Sequence, residues 1–116
     1  MNRTAALASS TGQWPEAIHP QTLGGCMGDG QHVWAAAEWL LLIRNCFVRE
    51  EGPDRLVLCP GVPRHWLEQD EEIRFGPAPT PHGPVTVRLK AGPGGTVRAG
   101  WEADWRGKPP AIELAL

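Results

Sequence analysis

The chain has 116 residues, 41% of them hydrophobic, which suffices for one ordinary domain with a modest core and is too little for a two-domain enzyme. With 11 Lys and Arg against 13 Asp and Glu, it has no strong field to gather nucleic-acid phosphates or anionic lipid heads, so nucleic acid and membrane are both excluded as expected partners. Tyr is absent, Trp occurs 6 times, and 14 Gly with 12 Pro suit short strands joined by many turns.

Residues 1–13 lack periodicity and read as a disordered leader, too weakly apolar for a secretory segment. The longest apolar run, Trp39 to Ile43, is far short of the roughly 20 residues that cross a bilayer. Cys26, Cys46 and Cys59 are odd in number and show no Cys-x-x-Cys spacing, so they read as reduced, buried small hydrophobes. These features together predict a soluble chain in a reducing, cytoplasmic compartment.

From Trp14 to Gly30 two prolines and a Gly-rich stretch predict a long structured loop with little room for a helix or strand. Asp29 can cap a helix running from about Gln31 to Val48, which no proline interrupts. Its polar positions Gln31, Glu38 and Asn45 leave a narrow wet stripe, and Val33, Trp34, Ala36, Ala37, Trp39 to Ile43 and Phe47 cover the rest. A helix apolar nearly all round belongs inside a large protein.

After Glu50 the period changes to 2. Leu56 and Leu58, Ile73 and Phe75, then Val85, Val87 and Leu89, then Val97, Ala99, Trp101 and Ala103, and finally Ile112 and Leu114 mark inward positions of successive strands, each with one buried and one wet face. The Ala91–Gly95 stretch predicts a hairpin, and the Arg106–Pro110 stretch predicts a second. The fold class is therefore α+β, one long buried helix followed by a small antiparallel β-sheet or sandwich.

Glu16, between Trp14-Pro15 and His19-Pro20, is the sharpest chemical candidate, because a carboxylate between aromatic walls can accept a proton from water. The plainer alternative is a solvated glutamate that caps a turn. Trp14 and His19 are the candidate substrate-binding residues beside it. Trp34, Trp39 and Trp101 read as core, while Trp66 and Trp105 fall near turns where packing and ligand contact are both open. His19, Cys26 and His32 match no metal-ligand frame, so neither a metal nor any other cofactor is expected.

Trp14-Pro15-Glu16, the Gly-rich loop and the helix carrying Trp34-Ala35-Ala36-Ala37-Glu38 resemble the last catalytic loop and final helix of (α/α)6-barrel glycosidases, the glucoamylase-like clan. Pro60-Gly61-Val62-Pro63-Arg64-His65-Trp66-Leu67, leading into Ile73-Arg74-Phe75, resembles the small β-domain that some of those enzymes carry after the barrel. The resemblance implies that residues 14–50 correspond to the end of a barrel and residues 51–116 to a small antiparallel β-domain. It also implies that Glu16 stands where the general base of an inverting glycoside hydrolase stands, with a general acid supplied by an earlier barrel helix. Glu38 then serves to orient the loop through a hydrogen bond. The expected function is thus the C-terminal module of a glycoside hydrolase-like carbohydrate-active protein that is not catalytic alone. A stand-alone carbohydrate- or protein-binding β module is the alternative. The expected partners are a glycan and either a helical-barrel partner chain or a second copy of this chain.

Overall fold

The computed structural model describes residues 2–28 and 32–116, and the elements fall into two compact units, Met1–Leu42 and Ile43–Leu116. The predicted Asp29 cap lies outside the described residues.

The first unit opens on a short helix, α1 (Asn2–Ala6), where a disordered leader was expected. The Trp14 indole Nε1 donates to the Thr4 carbonyl at 2.8 Å and the Ser9 amide donates to the Gln13 carbonyl at 2.8 Å, so this segment has partners that its composition did not advertise. The expected loop after Trp14 is instead a two-stranded ribbon, β1 (Ala17–Ile18) against β2 (Gly25–Met27), antiparallel and with a bulge. The ribbon closes because the His19 amide donates to Gly24 O at 2.9 Å and the Leu23 amide to His19 O at 2.9 Å.

Helix α2 (Val33–Phe47) follows, its residues through Leu42 in the first unit and Ile43 to Phe47 in the second. The helix forms as expected, but within the chain it is not buried. Only Cys46 and Phe47 are closed off from solvent, whereas Val33 is 81% exposed, Trp34 67% and Leu40 68%. Val33, Ala37, Leu40 and Leu41 recur at helical spacing on one open apolar face.

In the second unit, Val48–Glu50 is a strand, β3, and not the end of the helix. It pairs antiparallel with β4 (Arg55–Leu58), which pairs on its other side with β8 (Ala111–Leu114). The β4–β8 pair is parallel, with Leu56 opposite Ile112, so the expectation of an all-antiparallel sheet is corrected. The Arg106–Pro110 segment does not make the expected hairpin. The Asp104 and Arg106 amides still bond to Pro84 O and His82 O, Pro109 and Pro110 have no amide to continue that ladder, and the Ala111 amide then bonds Asp54 O at 2.8 Å beside β4. Leu56, Val57 and Leu58 are all buried, as befits a central strand, and within β4 only Arg55 at its start reaches solvent.

The second sheet is antiparallel, in the order β5 (Ile73–Ala78), β6 (Val85–Ala91), β7 (Val97–Ala103), with the expected hairpin at 91–97. Val85, Val87 and Leu89 point into the core as expected and are at most 1% exposed. Trp101 stands directly opposite Val87 on that face, yet it is 48% exposed, because β7 is an edge strand and the large indole overhangs the core margin. Thr86, on the face expected to be wet, is buried beneath a bulge in β5. At that bulge Gly76 has φ +133°, and a Cβ there would stand 2.7 Å from Thr86 Cα, so only glycine fits.

Cys46, Phe47, Val48, Leu56, Leu58 and Cys59 join Ala78, Val85, Val87 and Leu89 in one cluster, so both sheets and the end of α2 share a core. Phe47 stacks on Phe75 with ring centroids 4.6 Å apart and on Trp66 at 6.1 Å. Trp66 and Trp105, expected near turns with packing and ligand contact both open, are part-buried and pack against this core.

Candidate functional site

Glu16 sits at the entry to β1, where its backbone amide donates to Met27 O at 2.8 Å across the ribbon. Gly28, at φ +72°, follows β2 and passes so close that an added Cβ would lie 2.9 Å from His32 Cβ and 3.1 Å from the Glu16 amide nitrogen. A side chain at position 28 would therefore push Glu16 and His32 apart.

His32 immediately precedes α2. Its Nδ1 accepts from the Ala35 amide at 3.3 Å, the bond an N-cap side chain makes, and its own amide donates to Trp14 O at 3.0 Å. With Nδ1 used as an acceptor, the proton of the neutral ring resides on Nε2, which faces Glu16 Oε2 at 3.7 Å. The pair is part-exposed, the histidine side chain 26% and the glutamate 45%.

In the first turn of α2, Trp34 Nε1 donates to Glu38 Oε1 at 3.1 Å. Glu38 therefore holds an indole of its own helix, where an orienting bond to the loop was expected. Glu16, His32, Trp34, Ala35 and Glu38 line a shallow depression of about 260 Å³. Trp34, expected in the core, forms an exposed aromatic wall of this depression.

Of the residues singled out from sequence, the depression keeps Glu16 and leaves out Trp14 and His19. Trp14 stacks on Trp39 with centroids 5.3 Å apart and an interplanar angle of 35°, so its ring face is spent on packing. His19 Nδ1 accepts from the Gln21 and Thr22 amides at 3.3 and 3.2 Å, which makes it a turn-former in the ribbon. His32 and Trp34 were missed as site residues. The signal that could have found them is their two-residue spacing at the start of a proline-free helix directly after the Gly-rich stretch.

Cys26 is exposed, contrary to expectation, while Cys46 and Cys59 are buried as expected. Among the described residues no group of three or more His, Cys, Asp or Glu side chains is gathered closely enough to hold a metal ion, and no helix is long and apolar enough to cross a membrane.

Chemically, the depression offers a carboxylate oriented beside an imidazole N–H, a second carboxylate anchored to an indole, and an apolar ring face open to solvent. Such a set can accept hydrogen bonds from hydroxyl groups and position a water. No family model, curated protein or solved structure matches the chain.

Proposed function

We propose that this chain is the C-terminal module of a glycoside hydrolase-like carbohydrate-active protein, that it is not catalytic alone, and that Glu16 contributes to a site completed by helices outside the chain. The observation that carries this reading is the state of the first unit. None of its described residues is buried, yet it presents Val33, Trp34, Leu40, Leu41 and Leu42 to solvent. An apolar helix flank with no core of its own behind it is what the last helix of a larger helical assembly would look like without its neighbours.

The depression supports the carbohydrate part of the reading. A pyranose ring has an apolar face of C–H groups suited to the open Trp34 indole, and hydroxyl groups suited to Glu16 and Glu38. An inverting hydrolysis also needs a protonated carboxyl held roughly 6.5 to 9.5 Å from the base. Glu38 is a poor candidate because its Oε1 already accepts from Trp34. General-base assistance by itself supplies about a hundredfold to ten-thousandfold, which leaves a glycosidic bond intact on a laboratory timescale.

A stand-alone carbohydrate- or protein-binding β module is the second reading, favoured by the self-contained core that the two sheets of the second unit share. The test of the first reading is sugar release from a panel of α-linked oligosaccharides by the purified chain and by Glu16→Gln. No release by either is expected. Turnover by the wild type that vanishes in Glu16→Gln would overturn it and establish a compact enzyme.

A further inference from the structure

The β6–β7 hairpin carries a charge arrangement that nothing in the reading above uses. Lys90 and Arg98 are paired residue to residue across the two strands, so their side chains leave the same face of the sheet side by side. Both are exposed. Like charges in this position destabilise a hairpin. The compensation seen elsewhere on the same face is missing here. Arg88 and Arg74 share Glu102, at 2.9 and 3.9 Å, while among the described residues no carboxylate reaches Lys90 or Arg98 within ion-pair distance. In a chain of net charge −2, this is a local excess of positive charge held in register by the strand ladder.

The two cations also border a depression of about 280 Å³, walled by Thr96 and by the turn from Ala91 to Pro93. The turn is braced: the Gly92 amide donates to Thr96 O at 2.8 Å and the Thr96 hydroxyl to Pro93 O at 2.9 Å. The depression is therefore a shaped hollow beside two cations that no carboxylate among the described residues pairs.

We propose that the β6–β7 hairpin is an anion-binding site in which Lys90 and Arg98 together hold the phosphoryl group of a small soluble molecule. A carboxylate would be satisfied by the guanidinium fork of Arg98 alone and would leave Lys90 uncompensated. A phosphoryl group carries about −1.5 to −2 charges at pH 7 and three acceptor oxygens, enough for the fork and the ammonium at once. The hollow has room for a small ligand, and its exposed border, Lys90, Pro93, Thr96 and Arg98, includes no large apolar side chain of the kind that anchors in a membrane surface.

The probe is inorganic phosphate, and the readout is the thermal unfolding midpoint of the full chain at constant ionic strength, with chloride and acetate as the comparison anions. The wild-type midpoint is expected to rise saturably with phosphate and to need at least about tenfold more acetate for the same shift. Lys90→Glu replaces like charges by opposite ones, so its midpoint in phosphate-free buffer is expected to be higher than that of the wild type, and its saturable response to phosphate to be lost. Arg98→Ala, which leaves Lys90 in place, is expected to raise the half-saturating phosphate concentration about tenfold. An equal rise in the wild type and in both variants would mean general salt stabilisation and would overturn the proposal, as would a chloride response equal to that of phosphate. Co-sedimentation with phosphatidylglycerol vesicles, without any response to free phosphate, would equally overturn it.

Discussion

Arg44, which the sequence did not mark, ties several parts of the second unit together. Its guanidinium pairs with both oxygens of Glu50 and donates to Val48 O at 3.1 Å and Pro79 O at 2.8 Å, so the last turn of α2, β3 and the segment after β5 meet at one side chain. The Arg44 hydrogen bond holds the Glu50 carboxyl below its ordinary range, against the opposing effect of burial. A carboxylate with a depressed folded-state pKa adds stability that is complete above the unfolded value of about 4.3 and is lost as pH falls through the lower folded value. Arg44→Ala is therefore expected to cost about 1 to 2 kcal/mol at pH 7, toward the low end because Glu50 is part-exposed. The gap between wild type and variant should narrow below about pH 4. Urea unfolding of both proteins at pH 7 and pH 3 measures this, and a gap that stays constant with pH would contradict it. Nothing in a linear pattern marks such a residue, because Pro79 is reached only through the fold. Cys59 illustrates the opposite case. Its burial was legible from its type, and that burial pushes the thiol up to about 11, but its left-handed backbone at φ +65° was not legible.

Among the elements, α2 was the most legible, since an uninterrupted 3.6-residue period has few alternatives. What the period could not reveal was which apolar positions find partners within this chain. Leu40 and Leu56 look alike in sequence, yet one is 68% exposed on the helix and the other is fully buried in β4. Leu56→Ala is expected to destabilise the isolated chain by about 2 to 5 kcal/mol and Leu40→Ala by less than about 0.5 kcal/mol. Chemical unfolding of the two variants tests this, and comparable losses would mean that the helix face is covered. The β6–β7 hairpin was legible from its Gly-rich turn, but β3 and the parallel partnership of β8 were not. Val48–Glu50 is too short to show a period, and a parallel neighbour is chosen by the free edge of a remote apolar strand, which local pattern does not encode. The same limit applied to the site. Glu16 was marked by its Trp-Pro and His-Pro flanks, whereas His32 and Trp34 become site residues only because the ribbon folds Gly28 back against His32.

The two units differ in kind. The second has a closed core built by two sheets and the end of α2, while none of the described residues of the first is buried. Composition foretold a single modest core and the helix foretold a surplus of apolar surface, and both features are present, in different units. Under the proposed function, the open face of α2 is covered by other helices. In their absence, a second copy of the chain is the available cover. Light scattering over a range of concentrations, on the wild-type chain and on the double variant Leu40→Lys, Leu41→Glu, distinguishes a covered from an open helix face. The wild type is expected to gain mass as concentration rises, and the double variant to remain a monomer with its β-sheet core intact. A wild-type chain that stays a monodisperse monomer at high concentration would mean that the α2 face is not built for a partner.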